Sequence, residues 1–143
     1  MSQQSPRPDL AAMLAPLVRA LMAAEQPVLE AHGLTMWGYV VLVALDRSSM
    51  RTQAALAEAI GADKTRIIRT LDELQERGHI ERHPDPDDRR VRLLAITDSG
   101  RVVKAAAQAD IQQGEERWLG ELGAEERRVF LKVLRRLTRD ETG

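Results

Sequence analysis

Cysteine is missing from all 143 residues. That excludes a disulfide scaffold, a thiolate metal site and a redox sensor built on the chain's own thiols. Aromatic residues amount to only 3%, so any core must be assembled mostly from Leu, Val, Ile and Ala. Neither sign of charge dominates, with 21 Lys and Arg against 22 Asp and Glu and a net charge of -1. No apolar run approaches the ~20 residues of a membrane span. The opening MSQQSPRPD also lacks the basic and apolar stretches of a secretion signal, so a cytoplasmic protein without a membrane partner is expected. Catalytic apparatus is equally scarce. The histidines at 32, 79 and 83 form no HExxH and no metal-ligand spacing, and no glycine-rich phosphate loop follows a strand. Neither an enzyme, a metal site nor a cofactor is expected.

What is present is an ordered series of amphipathic segments, 43% hydrophobic and 30% charged overall. After a polar tail over 1 to 8, Leu10, Met13, Leu14, Leu17, Val18 and Leu21 recur at helical spacing. Pro16 interrupts them, so the first helix is either kinked there or begins near it. Thr35 caps a second helix over 36 to 46, with Trp37, Val40, Val41 and Ala44 as its inward stripe. Thr52 caps a third, which turns Leu56 and Ile60 inward and stops at Gly61. Asp63 caps a fourth, with Ile67, Ile68, Leu71 and Leu74 inward and Gly78 at its end. The period then changes to two. Ile80 and Arg82 mark one strand, and Val91, Leu93, Leu94 and Ile96 the return, with the turn-forming PDPDDR between them. Thr97 caps a fifth helix carrying Val102, Val103, Ala106, Ala109 and Ile111. Beyond Leu122-Gly123, a sixth carries Phe130, Val133, Leu134 and Leu137.

Two helices joined through Gly61-Ala62-Asp63 and followed by a charged hairpin make a winged helix-turn-helix. The expected class is mainly α with a small β-hairpin wing. Residues 33–100 would form a DNA-binding domain between an N-terminal arm, 1–32, and C-terminal helices, 101–143, used for dimerisation. On the fourth helix, Lys64, Thr65, Arg66, Arg69, Thr70 and Glu73 are left facing outward. Arg66 and Arg69 share the N-terminal half of one face, the part of a recognition helix that enters the major groove. In the wing, Arg89, Arg90 or Arg92 could enter a minor groove, with Asp88 paired to Arg90 or Arg92 and fixing its direction. Acid and base balance over 63 to 92, so only the placement of these cations can decide their use.

Residues 33 to 100 resemble the multiple-antibiotic-resistance regulator (MarR) family of winged-helix repressors. The matching stretches are GLTMWGYVVLVAL and QAALAEAIGADKTRIIRTLDELQERGHIERHPDPDDRRVRLLAITDSG. The most specific signal is Asp88-Arg89-Arg90 followed by an apolar strand and Thr97-Asp98-Ser99-Gly100. The resemblance implies that Arg90 is the minor-groove arginine and Asp88 its support. It further implies a homodimer on a pseudo-palindromic double-stranded DNA operator, released in many members by a small aromatic acid or phenol. Such an effector would sit near His32, Met36, Trp37 and Tyr39, whose alternative reading is as ordinary core and helix-end residues. Without cysteine the peroxide-sensing branch of the family is out of reach. The apolar stripes of the first, fifth and sixth helices exceed what one small module can cover, which independently favours a dimer over a folded-back monomer. A winged-helix module that binds protein instead of DNA is the competing expectation, since a fold does not establish a function.

Overall fold

The computed structural model describes residues 6–48 and 51–139. Helix α1 runs Leu10–Ala31, α2 Met36–Arg47, α3 Gln53–Ile60 and α4 Lys64–Glu76. Strands β1 (Arg51–Thr52), β2 (Ile80–Pro84) and β3 (Arg92–Ile96) precede and follow the α3–α4 pair, and α5 (Asp98–Leu119) and α6 (Ala124–Thr138) complete the chain. All contacts in the small sheet are antiparallel, in the order β1-β3-β2. The hairpin register pairs Ile80 with Ile96 and Pro84 with Arg92. β1 is an addition to the expected hairpin, Arg51 and Thr52 pairing with Leu94 and Leu93.

The helix starts are where local chemistry requires them. The side chains of Thr35, Thr52, Asp63 and Thr97 each accept the backbone N–H three residues on, satisfying a donor with no intrahelical partner. Gly61 ends α3 in the left-handed region, φ 68°, a conformation that suits glycine. Three residues later α4 is under way. α1 runs unbroken from Leu10 through Pro16 and Pro27, so it does not begin near Pro16. The two missing donors free the carbonyls of Ala12 and Ala23, both on exposed residues where water can replace them. α1 also corrects the reading that no apolar run approaches the length of a membrane span. It has 22 residues and a mean hydropathy of 1.2, long and apolar enough to cross a bilayer by length and composition, because its alanines dilute the few charges.

One core joins the elements: Leu29 and Leu34, Val41, Leu42 and Leu45, Leu56, then Ile67, Leu71 and Leu74, then Ile80, Leu94 and Ile96, and finally Ala107 and Ile111. Three expected faces are rotated. α2 buries Gly38, Val41, Leu42 and Leu45, leaving Trp37, Val40 and Ala44 half-buried. α4 turns Thr70 inward, 7% exposed, while Ile68 is 46% exposed. Thr70 stands three residues from Ile67 and four from Leu74, so the stripe 67, 70, 71, 74 follows helical geometry in spite of its hydroxyl. α5 buries Gly100, Ala107 and Ile111 and leaves Val102, Ala106 and Ala109 exposed. α6 has no fully buried residue, and Val133, Leu134 and Leu137 remain exposed. It is tied back to α5 by Arg127, which donates to both carboxylate oxygens of Glu116. That pairing holds the Glu116 carboxyl below its ordinary range.

Candidate nucleic-acid interface

The N-terminal half of α4 presents Lys64, Thr65, Arg66 and Arg69, all exposed. Thr70 does not belong to this surface, because it is turned into the core. Asp63 accepts the N–H of Arg66 at 2.8 Å, fixing the first turn. Arg69 is 85% exposed and lies 3.4 Å from Glu73, one turn along. The guanidinium of Arg66 lies over the ring of Trp37, 5.7 Å from its centroid. The wing closes through the carbonyls of Asp88 and Val91, which accept from the backbone of Val91 and Asp85. At its tip Arg90 is 92% exposed, and both its backbone N–H and its Nε donate to Oδ1 of Asp88, at 3.1 and 3.4 Å. Of the two alternatives for Asp88, the structure selects Arg90. Arg89 is exposed beside it.

Part of the local charge is paired off. Asp72 pairs with Arg82, Glu73 with Arg69, Glu81 with His83 and Asp88 with Arg90. Among the described residues, Lys64, Arg66, Arg77, Arg89 and Arg92 form no ion pair, and neither do Asp63, Glu76, Asp85 and Asp87; of these cations, Lys64 and Arg66 sit at the start of α4 and Arg89 and Arg92 in the wing. Surface pairs of this kind contribute little to stability.

Arg82 is a residue whose role the sequence reading missed. Its guanidinium reaches from β2 to Asp72 at 2.9 Å and to the side-chain oxygen of Gln75 at 2.8 Å, both on α4. It therefore braces the wing against α4. The signal was available, because Arg82 alternates with buried Ile80 and so faces the core side of its strand. Arg77 does a similar job, donating to the carbonyl of Gly33 at 2.6 Å between α4 and the turn before α2. His79 stands just before β2, beside the first turn of α5. It is half-buried, its Nδ1 is 3.1 Å from Ser99 Oγ, and burial with nearby Arg77 lowers its pKa.

The four effector candidates face different neighbours. His32 contacts Asp110 of α5 through Nε2 at 2.7 Å. Trp37 carries Arg66. Tyr39 is half-buried, and its pKa is raised by burial and by Glu25 and Glu115. Only Met36 lines the groove of about 620 Å³ between α1 and the start of α2, with Arg19, Met22, Gln26, Leu29 and Leu34.

Burial and the neighbouring Glu115 also raise the pKa of Glu25. Its carboxylate therefore costs stability above the unfolded value, ~4.3, and that cost fades as the pH falls through it. Glu25→Gln should raise Tm at pH 7 by about 1–2 °C, allowing for solvent screening. The gain should shrink toward zero at pH 4. Thermal unfolding at the two pH values checks this, and an equal gain at both would refute it.

Comparison with known proteins matches this geometry. The MarR family model covers residues 32–91. The transcriptional regulator HosA of Escherichia coli O111:H- is 32% identical over 108 residues, 76% of this chain and 80% of HosA. A crystal structure of MarR superposes with a TM-score of 0.85 at 28% identity, covering 99% of this chain and 96% of that one. The PcaV regulator of Streptomyces coelicolor, solved in complex with its natural ligand, gives a TM-score of 0.67 at 29% identity, covering 94% and 98%. With a winged helix-turn-helix that exposes Lys64, Arg66 and Arg69 on one helix and Arg89 and Arg90 on one hairpin, this chain is a member of the MarR family of transcriptional regulators.

Proposed function

We propose that the protein is a repressor that binds a pseudo-palindromic DNA operator as a homodimer. In this reading residues 33–100 form the DNA-binding domain, and 1–32 and 101–143 the dimerisation elements. The observation that carries it is the wing arginine. Arg90 is almost fully exposed at the hairpin tip and directed by Asp88, beside an α4 whose Lys64 and Arg66 form no ion pair among the described residues. A positive side chain held at a hairpin tip suits the negative potential of a narrow minor groove, while arginines at a helix start suit guanine edges in the major groove. Dimerisation is supported by apolar side chains left exposed on α1 and α6. They include Leu10, Met13, Leu14 and Val18 on α1, and Val129, Val133, Leu134 and Leu137 on α6.

Selection of bound duplexes from a random pool at two salt concentrations tests the reading. An inverted repeat with half-sites about 34–36 Å apart is expected, recovered from a protein that sediments as a dimer and lost as salt rises. Recovery of nothing specific from a folded dimer would favour the protein-binding alternative.

The ligand that releases the repressor is, in this reading, a small aromatic acid held in the α1–α2 groove. Arg19 supplies a cation, opposed in the same groove by the carboxylate of Glu30; Met22, Leu29, Leu34 and Met36 supply apolar walls, and the volume lies within the ordinary range for ligand sites. That PcaV was solved with a ligand supports looking for one here. Benzoate-type acids at about 100 times their Kd should stabilise the protein by about 2.7 kcal/mol. Arg19→Ala should remove most of that gain. A stabilisation equal in both proteins would place the ligand elsewhere.

A further inference from the structure

We infer that Trp37 is a positioning residue for DNA reading, holding the Arg66 side chain ready for a base edge. The inference rests on the proposed DNA-reading role of α4. Trp37 stands on the first turn of α2, half-buried, and Arg66 on the first turn of α4, exposed. The guanidinium carbon of Arg66 lies over the indole, 5.7 Å from its centroid. Among the described residues, the Arg66 side chain makes no hydrogen bond or ion pair. The attraction is between the cation's charge and the face of the ring, so every guanidinium N–H stays free for a bidentate contact with guanine.

The other two proposed DNA-facing arginines with a fixed direction are held by carboxylates, Arg69 by Glu73 and Arg90 by Asp88. Those partners occupy a donor and offset part of the charge that draws the side chain to DNA. An indole does neither, yet it restricts the rotamers of a long flexible side chain before binding, which lessens the ordering that binding requires. The arrangement also accounts for a large aromatic that the core does not fully bury, in a chain with only two tryptophans.

The test is a double-mutant cycle on the full-length protein, using the duplex recovered by selection. Trp37→Leu should weaken binding by about 5- to 30-fold, two stacks being lost per dimer. Trp37→Phe, which retains a ring face, should stay within about two-fold of the parent. In an Arg66→Ala background, Trp37→Leu should cost nothing further. Trp37→Leu should also relax base preference at the same position as Arg66→Ala, which a general loss of stability would not do. Where leucine disturbs folding, as judged by circular dichroism, Trp37→Gln replaces it. Unchanged affinity in Trp37→Leu with a large loss in Arg66→Ala would overturn the positioning role and leave the reading surface standing. Equal losses for Trp37→Leu with and without Arg66 would overturn it too. If Arg66→Ala itself binds normally, Arg66 reads no base and the positioning role fails with it.

Discussion

Replacing Arg66 and Arg90 together with alanine should abolish operator binding, with the fold and the proposed dimer left intact. Both side chains point to water, Arg90 with 92% of its surface exposed. Their loss empties no core position, and surface substitutions of that kind ordinarily change stability by about 0.5 kcal/mol or less. The effect on DNA is different in scale. A bidentate arginine–guanine contact contributes roughly 1–3 kcal/mol of discrimination, and a dimer makes each contact twice. The recognition helix and the wing tip are separate sites, so their losses should nearly add. The combined fall is expected to exceed about 1,000-fold, beyond the range where specific binding stands above nonspecific binding. The single variants should differ in kind. Arg66→Ala should relax preference at one major-groove position, and Arg90→Ala should reduce the preference for A·T-rich flanks. Fluorescence anisotropy on labelled duplexes, with the salt dependence of each variant, measures all three. Unchanged affinity in both single variants would place the reading surface elsewhere on the molecule.

These residues were legible because the chemistry that places them is local. Thr35, Thr52, Asp63 and Thr97 each cap a helix through a hydrogen bond spanning three residues. With starts and stops in view, the order of elements follows, and so does the exposure of Lys64, Thr65, Arg66 and Arg69. Helix faces were less legible, because which side turns inward depends on neighbours distant in the chain. α4 shows the difficulty. Hydrophobicity favours Ile68 over Thr70 as a core residue, yet helical spacing from Ile67, Leu71 and Leu74 selects Thr70. α5 is rich in alanine and has little contrast between its sides, so Ala107 is buried while Ala106 and Ala109 are not. β1 is two residues long and carries no period of its own, existing only because β3 offers it an edge. The effector candidates depended wholly on tertiary placement. His32, Met36, Trp37 and Tyr39 are close in sequence, but they face α5, a surface groove, α4 and a pair of carboxylates.

The Thr97-Asp98-Ser99-Gly100 segment predicts the second large effect, on stability. The first turn of α5 is laid directly across the chain entering β2. Thr97 donates from its hydroxyl to the carbonyl of Gly78 at 2.6 Å and from its backbone N–H to the carbonyl of His79 at 3.1 Å. The same hydroxyl oxygen accepts the N–H of Gly100 at 3.0 Å. Those bonds pull Gly100 so close that a Cβ there would overlap the His79 carbonyl oxygen and come within 2.8 Å of Ile96 Cγ1. The obstacle is mostly backbone, so no side-chain rotation relieves it. Gly100→Ala should therefore cost about 3 kcal/mol, the upper end of ordinary overpacking, or about 10 °C in Tm for a chain of this size. Because His79 leads into β2, the displaced strand should carry the wing with it and weaken DNA binding as well. Gly114, on the same helix, is the control, since a Cβ there meets nothing within 4 Å. Gly114→Ala should stabilise by roughly 0.5–1 kcal/mol, through helix propensity alone. Denaturant unfolding of the two variants separates the cases, because a general intolerance of α5 to alanine would lower both. A Gly100→Ala protein as stable as the parent would mean that the approach of α5 to His79 is loose enough to admit a methyl group.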